Sequence, residues 1–219
     1  MKYARIFISA ILAGICIGIG GTVFLSLDNN VIGAILFTIG LFVICTNGLH
    51  LFTGKVCYIF DNGKEYLASI PAIWLGNLVG TFCSATVLCM TRIGGGLTEK
   101  ATLICQTKLN DNVISILILS FFCNILIYIA VDGFKNNPHE VGKYLALFFG
   151  VIVFILCGFE HCVANMFYFS VAHVWSAHAF FYLLIMTLGN GLGGIFVPLI
   201  KKIIIKKHFV KMEEKSWQS

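Results

Sequence analysis

Gly-Phe-Glu-His-Cys-Val-Ala-Asn-Met-Phe, residues 158–167, sets an acid, an imidazole and an amide in the middle of the apolar run Tyr144–Val174. Ionisable groups at that depth of a bilayer are costly and mark function. The rest of the chain says that a bilayer is the right solvent. With 58% hydrophobic and 11% charged residues, and a mean hydropathy of +0.92, the chain has too much apolar surface to hide in one soluble core. Six apolar blocks follow one another, Ile6–Leu27, Val31–Phe60, Leu67–Met90, Val113–Val131, Tyr144–Val174 and Phe180–Ile200. Each meets the ~20 residues that a spanning helix requires, and barrel strands are far shorter. The expectation is an all-α integral membrane protein with one transmembrane domain over residues 1–219, its membrane part about 6–200 and a basic tail at 201–219. The first block is too long for a signal-peptide core and reads as a retained helix.

The fifteen Lys and Arg orient the chain. With a cytoplasmic N-terminus, twelve fall on that side and only Arg92, Lys100 and Lys108 on the other. The positive-inside rule therefore puts both termini in the cytoplasm of a cell that carries the protein in its plasma membrane. The lysines of the tail suit anionic lipid, and nothing in their placement suggests nucleic acid. Nine cysteines form no Cys-x-x-Cys pair, and most lie within apolar runs, where thiols behave as small hydrophobes. Cys89 and Cys105 are the one candidate extracellular pair.

Blocks two and five are longer than the others, and both are interrupted. Thr46, Asn47, Gly48, His50, Thr53 and Gly54 collect in one, and Gly158, Glu160, His161 and Asn165 in the other. Irregular backbone at membrane depth survives only where protein or a water-filled cavity covers it, and broken helices in matching halves point to a permeation site. Gly-Asn-Leu-Val-Gly (76–80) and Gly-Asn-Gly-Leu-Gly (189–193) fall at the same place in a three-helix order, each as a small-xxx-small packing motif. Three helices per half reverse the insertion direction, so two inverted repeats are expected, with helices 2 and 5 broken.

His161 is the centre of the candidate chemistry, since an imidazole donates, accepts and exchanges protons near neutrality. The competing reading is a structural histidine bonded to loop carbonyls. Glu160 must be protonated or held by donors, and a structural role is expected, capping free amides at the break or orienting a neighbour. Thr53 and Asn165 offer uncharged hydrogen bonds, to a ligand or to the broken backbone, and Asn124 reads as interhelical glue. His50 stays open between a buried and a wetted position, while His139, His173, His178 and His208 read as solvated. Residues 91–112 read as a long outer loop whose Arg92, Lys100 and Lys108 either attract anions or are simply solvated. Phe37 and Leu41, one turn apart, share either a pore face or ordinary core.

Leu-Phe-Thr-Gly-Lys (51–55), Gly-Asn-Leu-Val-Gly (76–80), Lys-Leu (108–109), Cys-Asn-Ile-Leu (123–126), the 158–167 string and Gly-Asn-Gly-Leu-Gly-Gly (189–194) together resemble the formate/nitrite transporter family, in the family's order. The resemblance implies an aquaporin-like fold of six helices, a homopentamer with one pore per subunit, and passage of small monovalent anions such as formate, nitrite and hydrosulfide, with no cofactor. It implies that His161 is the central pore histidine, Thr53 the threonine opposite it and Lys108 the lysine that makes the vestibule attractive to anions. Glu160, Asn124 and Asn165 match supporting polar positions. Phe37, Leu41 and Phe154 fall at the outer hydrophobic constriction, and Phe52 with Ile127 at the inner one. Cys162 stands where serine is common, His50 where a non-basic residue is expected, and the segment before block one is very short for an ordered gating helix. Thr-Gly-Lys at the second break leans toward the hydrosulfide branch.

A bare anion crosses greasy constrictions only at a high desolvation cost. The expected mechanism is therefore capture of the anion at Lys108, binding at Thr53 and His161, and protonation to the neutral acid, so that protons are co-partners. The alternative is an aquaporin-like channel for small neutral solutes, although Pro71, Pro138 and Pro198 leave no Asn-Pro-Ala pair at the breaks. An intramembrane enzyme would need a nucleophile or a metal cluster, and the His161–Glu160 pair lacks the further ligands of a zinc site, so no enzyme is expected.

Overall fold

The structure, a computed structural model, describes residues 2–216, with side chains described through Ile204. Lys206, Lys207, His208, Lys211 and Lys215 of the expected basic tail lie outside the described side chains. Regular structure among the described residues is entirely helical: α1 (Lys2–Leu25), α2 (Asn30–Thr46), α3 (Phe52–Lys55), α4 (Lys64–Cys89), α5 (Gly94–Leu109), α6 (Val113–Asn136), α7 (Glu140–Leu156), α8 (Cys162–Val171) and α9 (Ala177–Ser216), with a 3-10 turn at Val56–Tyr58 after α3. By length and composition, α1, α4, α6 and the 177–204 part of α9 suffice to cross a membrane. Large apolar side chains such as Leu12, Ile19, Phe82, Val87, Ile114 and Phe149 point outward, and so wide an apolar exterior needs lipid or neighbouring copies to cover it.

The helices α2 and α7 are 17 residues each and stop in the same way. Gly48 and Gly158 adopt left-handed backbone, with φ of 64° and 67°. The amide of Gly48 bonds Cys45 O and that of Leu49 bonds Ile44 O, at 3.4 and 2.9 Å. Gly158 bonds Ile155 O at 3.1 Å and Phe159 bonds Phe154 O at 2.9 Å. Each is a Schellman close, which uses up orphan carbonyls and turns the chain out of the helix at low steric cost because glycine has no Cβ.

Packing repeats between the two halves of the chain. The helix α1 lies along α4 and α2, α6 lies along α9 and α7, and α2 meets α7. Glycines set the closest approaches. A Cβ on Gly76 would fall 2.6 Å from Ala10 Cβ, and one on Gly189 the same distance from Ser120 Cβ. At Gly80 and Gly193 it would run into the backbone carbonyls of Ile11 and Phe121.

Most of residues 91–112, read as a loop, instead forms α5, Gly94–Leu109. Its polar composition and the glycines at 94–96 hide a narrow apolar stripe, Leu97, Ala101 and Cys105, spaced at one helical turn and buried. All nine cysteines are free; Cys105 is on that buried stripe, and Cys89 Sγ lies 3.8 Å from Thr98 Oγ1.

Overpacking a tight contact costs about 1–3 kcal/mol, and here the obstacle is backbone. Gly80→Leu and Gly193→Leu are each expected to lower the thermal midpoint of the purified protein or prevent its accumulation. An unchanged midpoint would show that the helix backbones do not meet there.

Candidate functional site

Two buried asparagines prepare the site. Asn77 on α4 accepts from the amide of Phe52, the first residue of α3, at 2.8 Å, and donates to Ala10 O and His50 O at 2.8 and 2.9 Å. Asn190 on α9 accepts from the amide of Cys162, the first residue of α8, at 2.8 Å, and donates to Ser120 O and Glu160 O at 2.7 and 2.8 Å. Each side chain thus satisfies a free helix-start amide and a non-helical carbonyl, and adds a second bond to a carbonyl within α1 or α6. The sequence reading valued these Gly-Asn pairs for their glycines and missed the asparagines. The signal was present, since an amide inside a lipid-depth helix needs partners of its own.

The segment held by Asn190 presents His161, which caps α8: its Nδ1 accepts from the amide of Ala164 at 3.1 Å. An accepting Nδ1 leaves the proton of a neutral ring on Nε2. That nitrogen lies 2.9 Å from Thr53 Oγ1, so His161 donates to the threonine, whose hydroxyl hydrogen is left to bond something else. The carbonyl of Thr53 accepts from Asn124 Nδ2 at 3.1 Å and from Cys57 Sγ at 3.2 Å. The Phe154 ring stacks on the imidazole at 5.5 Å, and Phe37 meets Phe154 edge-on at 6.2 Å.

Beside this pair, Lys108 Nζ donates to Glu160 Oε2 at 2.5 Å, with the two side chains only 13% and 4% exposed. Asn165 Nδ2 donates to the same oxygen at 2.8 Å and to His161 O at 3.0 Å. Glu160 is therefore an ionic partner held by two donors; the amide cap at the break comes from His161. Lys108, from the segment taken for a loop, is mostly buried. His50 is half-buried with Nδ1 2.8 Å from Ser9 Oγ, while His173 and His178 are exposed.

Two cavities flank the site, one reaching the start of α2 at Asn30 and the other its end at Ile44 and Cys45. One, of about 310 Å³, is lined by Lys108, Phe154, Phe159, Glu160, His161 and Tyr168 among others. The other, of about 730 Å³, is lined by Leu41, Ile44, Leu49, Leu51, Gly54 and Tyr58 among others. Their walls correspond in register: Ile44 with Phe154, Leu49 with Phe159, Leu51 with His161 and Tyr58 with Tyr168, always 110 positions apart. Thr53 is fully buried, between Leu51 and Gly54 of one wall, and bonds His161 of the other. Leu41 lines the larger cavity and Phe154 the smaller, whereas Phe37, Phe52 and Ile127 are buried and line neither.

A family model, Formate/nitrite transporter, matches residues 1–202. The chain belongs to the formate/nitrite transporter family. It is 30% identical to the nitrite transporter NirC of Salmonella typhimurium, over 86% of this chain and 78% of the relative. The formate channel FocA of Haemophilus influenzae is 26% identical, over 92% of this chain and 87% of its own length. A solved pentameric formate channel with formate bound superimposes with a TM-score of 0.79 at 26% identity, covering 93% of this chain and 98% of that one. These relatives are transporters and channels, in keeping with a chain that is not an enzyme.

Removing one member of a buried ion pair costs about 3–5 kcal/mol, because the other charge is left unpaired. Lys108→Met is accordingly expected to destabilise this member of the formate/nitrite transporter family strongly, and Lys108→Met with Glu160→Gln to recover most of the loss. Thermal unfolding of the two variants would show it, and equal midpoints would mean that the pair carries no coupling.

Proposed function

We propose that the protein is a homopentameric pore for the small monovalent anions of weak acids, among them formate, nitrite and hydrosulfide, which it passes together with a proton. The observation that carries this reading is the buried Thr53–His161 hydrogen bond, whose histidine lines the smaller cavity and whose threonine stands between Leu51 and Gly54 of the larger cavity's wall. Formate and nitrite are named for the family's relatives, and a pentamer for a structural neighbour. The paired cavity walls, the two Schellman closes and the two asparagine clamps support six spans in two inverted three-helix repeats, with α2–α3 and α7–α8 as the broken ones. Three spans per half bring the second half in upside down. The lysine distribution supports cytoplasmic termini in the plasma membrane.

In this mechanism the anion enters the smaller cavity toward Lys108. An ammonium has three donors and Glu160 takes one, so the lysine offers hydrogen bonds to the anion while Glu160 keeps the local charge near zero. Thr53, its oxygen occupied by His161 Nε2–H, turns its own hydroxyl proton to the anion. Protonation yields the neutral acid, which crosses the apolar walls without the desolvation cost of a charge. The proton comes from vestibule water or along His161. In the second route the Nε2 proton leaves through Thr53 and a new one arrives at Nδ1, which requires Ala164 to release that nitrogen. Asn124 holds the backbone of Thr53, and Asn165 ties Glu160 to the His161 carbonyl. Phe37, Leu41 and Phe154, with Phe52 and Ile127, supply the apolar constrictions.

Flux of formate, nitrite and hydrosulfide into proteoliposomes across a pH series tests the reading. Anion flux should rise toward acid pH in the native protein, and His161→Ala should lower the rate and flatten the pH dependence. Flux indifferent to both pH and His161 would leave a simple anion channel. Water or neutral-solute permeation without anion flux would establish the aquaporin-like alternative.

A further inference from the structure

The two cavities share a register but differ in charge. Asn165, in the smaller cavity, corresponds to Lys55 in the larger. Among the described side chains Lys108 and Glu160 are the only ionised groups lining the smaller cavity, and they pair with each other. The larger cavity is lined by Lys55, Lys135, Lys201 and Lys202 against Asp61 and Asp132. Lys201 pairs with Asp132 at 2.9 Å and Lys202 with Asp61 at 2.6 Å. Lys55 and Lys135 are left without an ion-pair partner among the described side chains. Lys135 Nζ sits 5.0 Å above the ring of Tyr58, and the Tyr58 hydroxyl is buried without a hydrogen-bond partner. The backbone of Lys55 is pinned, its carbonyl accepting from Tyr66 Oη at 2.7 Å.

We infer that the larger cavity is an anion-binding site, with Lys55 as its binding residue and Lys135 and the Tyr58 hydroxyl beside it, and that the pore therefore holds its anion more tightly on this side than on the other. The inference rests on the anion-pore reading above. An unpaired ammonium on a low-dielectric wall concentrates counter-ions, and here one stands two residues from Thr53, on the chain that lines the cavity. The ligand is a small monovalent oxyanion or hydrosulfide, the permeant species itself. The Lys55 carbonyl is held by Tyr66 and the Lys135 ammonium rests over the Tyr58 ring, so both lysines are at the wall before the anion arrives. The larger cavity opens on the face that carries the start of α1, since Asn62 and Tyr66 line both it and a neighbouring pocket that reaches Lys2.

The asymmetry has a defined kinetic form. At low concentration and zero voltage a passive pore must conduct equally in both directions, so a one-sided site shows itself in the half-saturating concentration. Right-side-out and inside-out membrane vesicles expose opposite faces, and zero-trans uptake of labelled formate into each gives that concentration for each face. For the native protein it should be lower from the face bearing Lys55. Lys55→Met should raise it about fivefold from that face, as expected for one partly screened charge contact, and leave the other face unchanged. Lys55→Arg should restore it and also shows that the position tolerates substitution. Equal half-saturation from both faces in the native protein, or a Lys55→Met effect equal on both, would overturn the proposal. Absence of formate flux from either face in the native protein would instead overturn the anion-pore reading.

Discussion

A backbone that leaves the helix inside a membrane must find partners for its amides and carbonyls within the protein, and the structure is arranged around that need. Asn77 and Asn190 meet it. Asn190 holds the residues on both sides of His161, through Glu160 O and Cys162 N. Asn77 holds the amide of Phe52, the residue before Thr53. The 2.9 Å contact between Thr53 and His161 is thus held by two side chains that hydrogen-bond the neighbours of these residues. Cutting either clamp would leave a buried helix-start amide and a non-helical carbonyl, His50 O or Glu160 O, without partners, each at about 1–3 kcal/mol.

Much of this was legible in the sequence, and the reasons are physical. Hydropathy located the apolar blocks because lipid tolerates nothing else, and polar residues inside blocks two and five marked the interruptions. His161, Thr53, Glu160, Lys108, Asn124 and Asn165, singled out as candidates, lie in one connected set of contacts. What pattern-reading could not supply was pairing across distance. Lys108 sits 52 positions from Glu160, and no local feature says that one neutralises the other. The helix α5 escaped notice because its apolar stripe is one residue wide. The asparagine clamps escaped because glycines beside them offered a sufficient explanation of the motif.

Similarity between the halves makes their differences informative. His161 corresponds to Leu51, and Thr53 to Val163, which is also fully buried. A symmetric pore would have had two histidines or none at its centre. Here each half supplies one member of a single hydrogen bond, so the polar point at the middle is unique and has a direction, from the imidazole to the hydroxyl. Glu160 likewise corresponds to His50, so the position that supplies the acid of the smaller cavity's ion pair carries no acid in the other half.

The glycine contacts along α1 and α4, and along α6 and α9, have a mechanical meaning. Where a carbonyl of one helix lies against the Cα of the next, as Ile11 does against Gly80 and Phe121 against Gly193, there is no side-chain cushion to deform. Sliding either helix by one residue would drive a Cβ into a backbone oxygen. Such seams behave as rigid joints, unlike the side-chain interfaces over which helices shear. The residues between the cavities, Phe37, Leu41, Phe52, Ile127 and Phe154, are buried as well but meet their neighbours through rings and aliphatic chains that can repack. In the pore proposed above, a solute would meet a stiff frame around a softer centre.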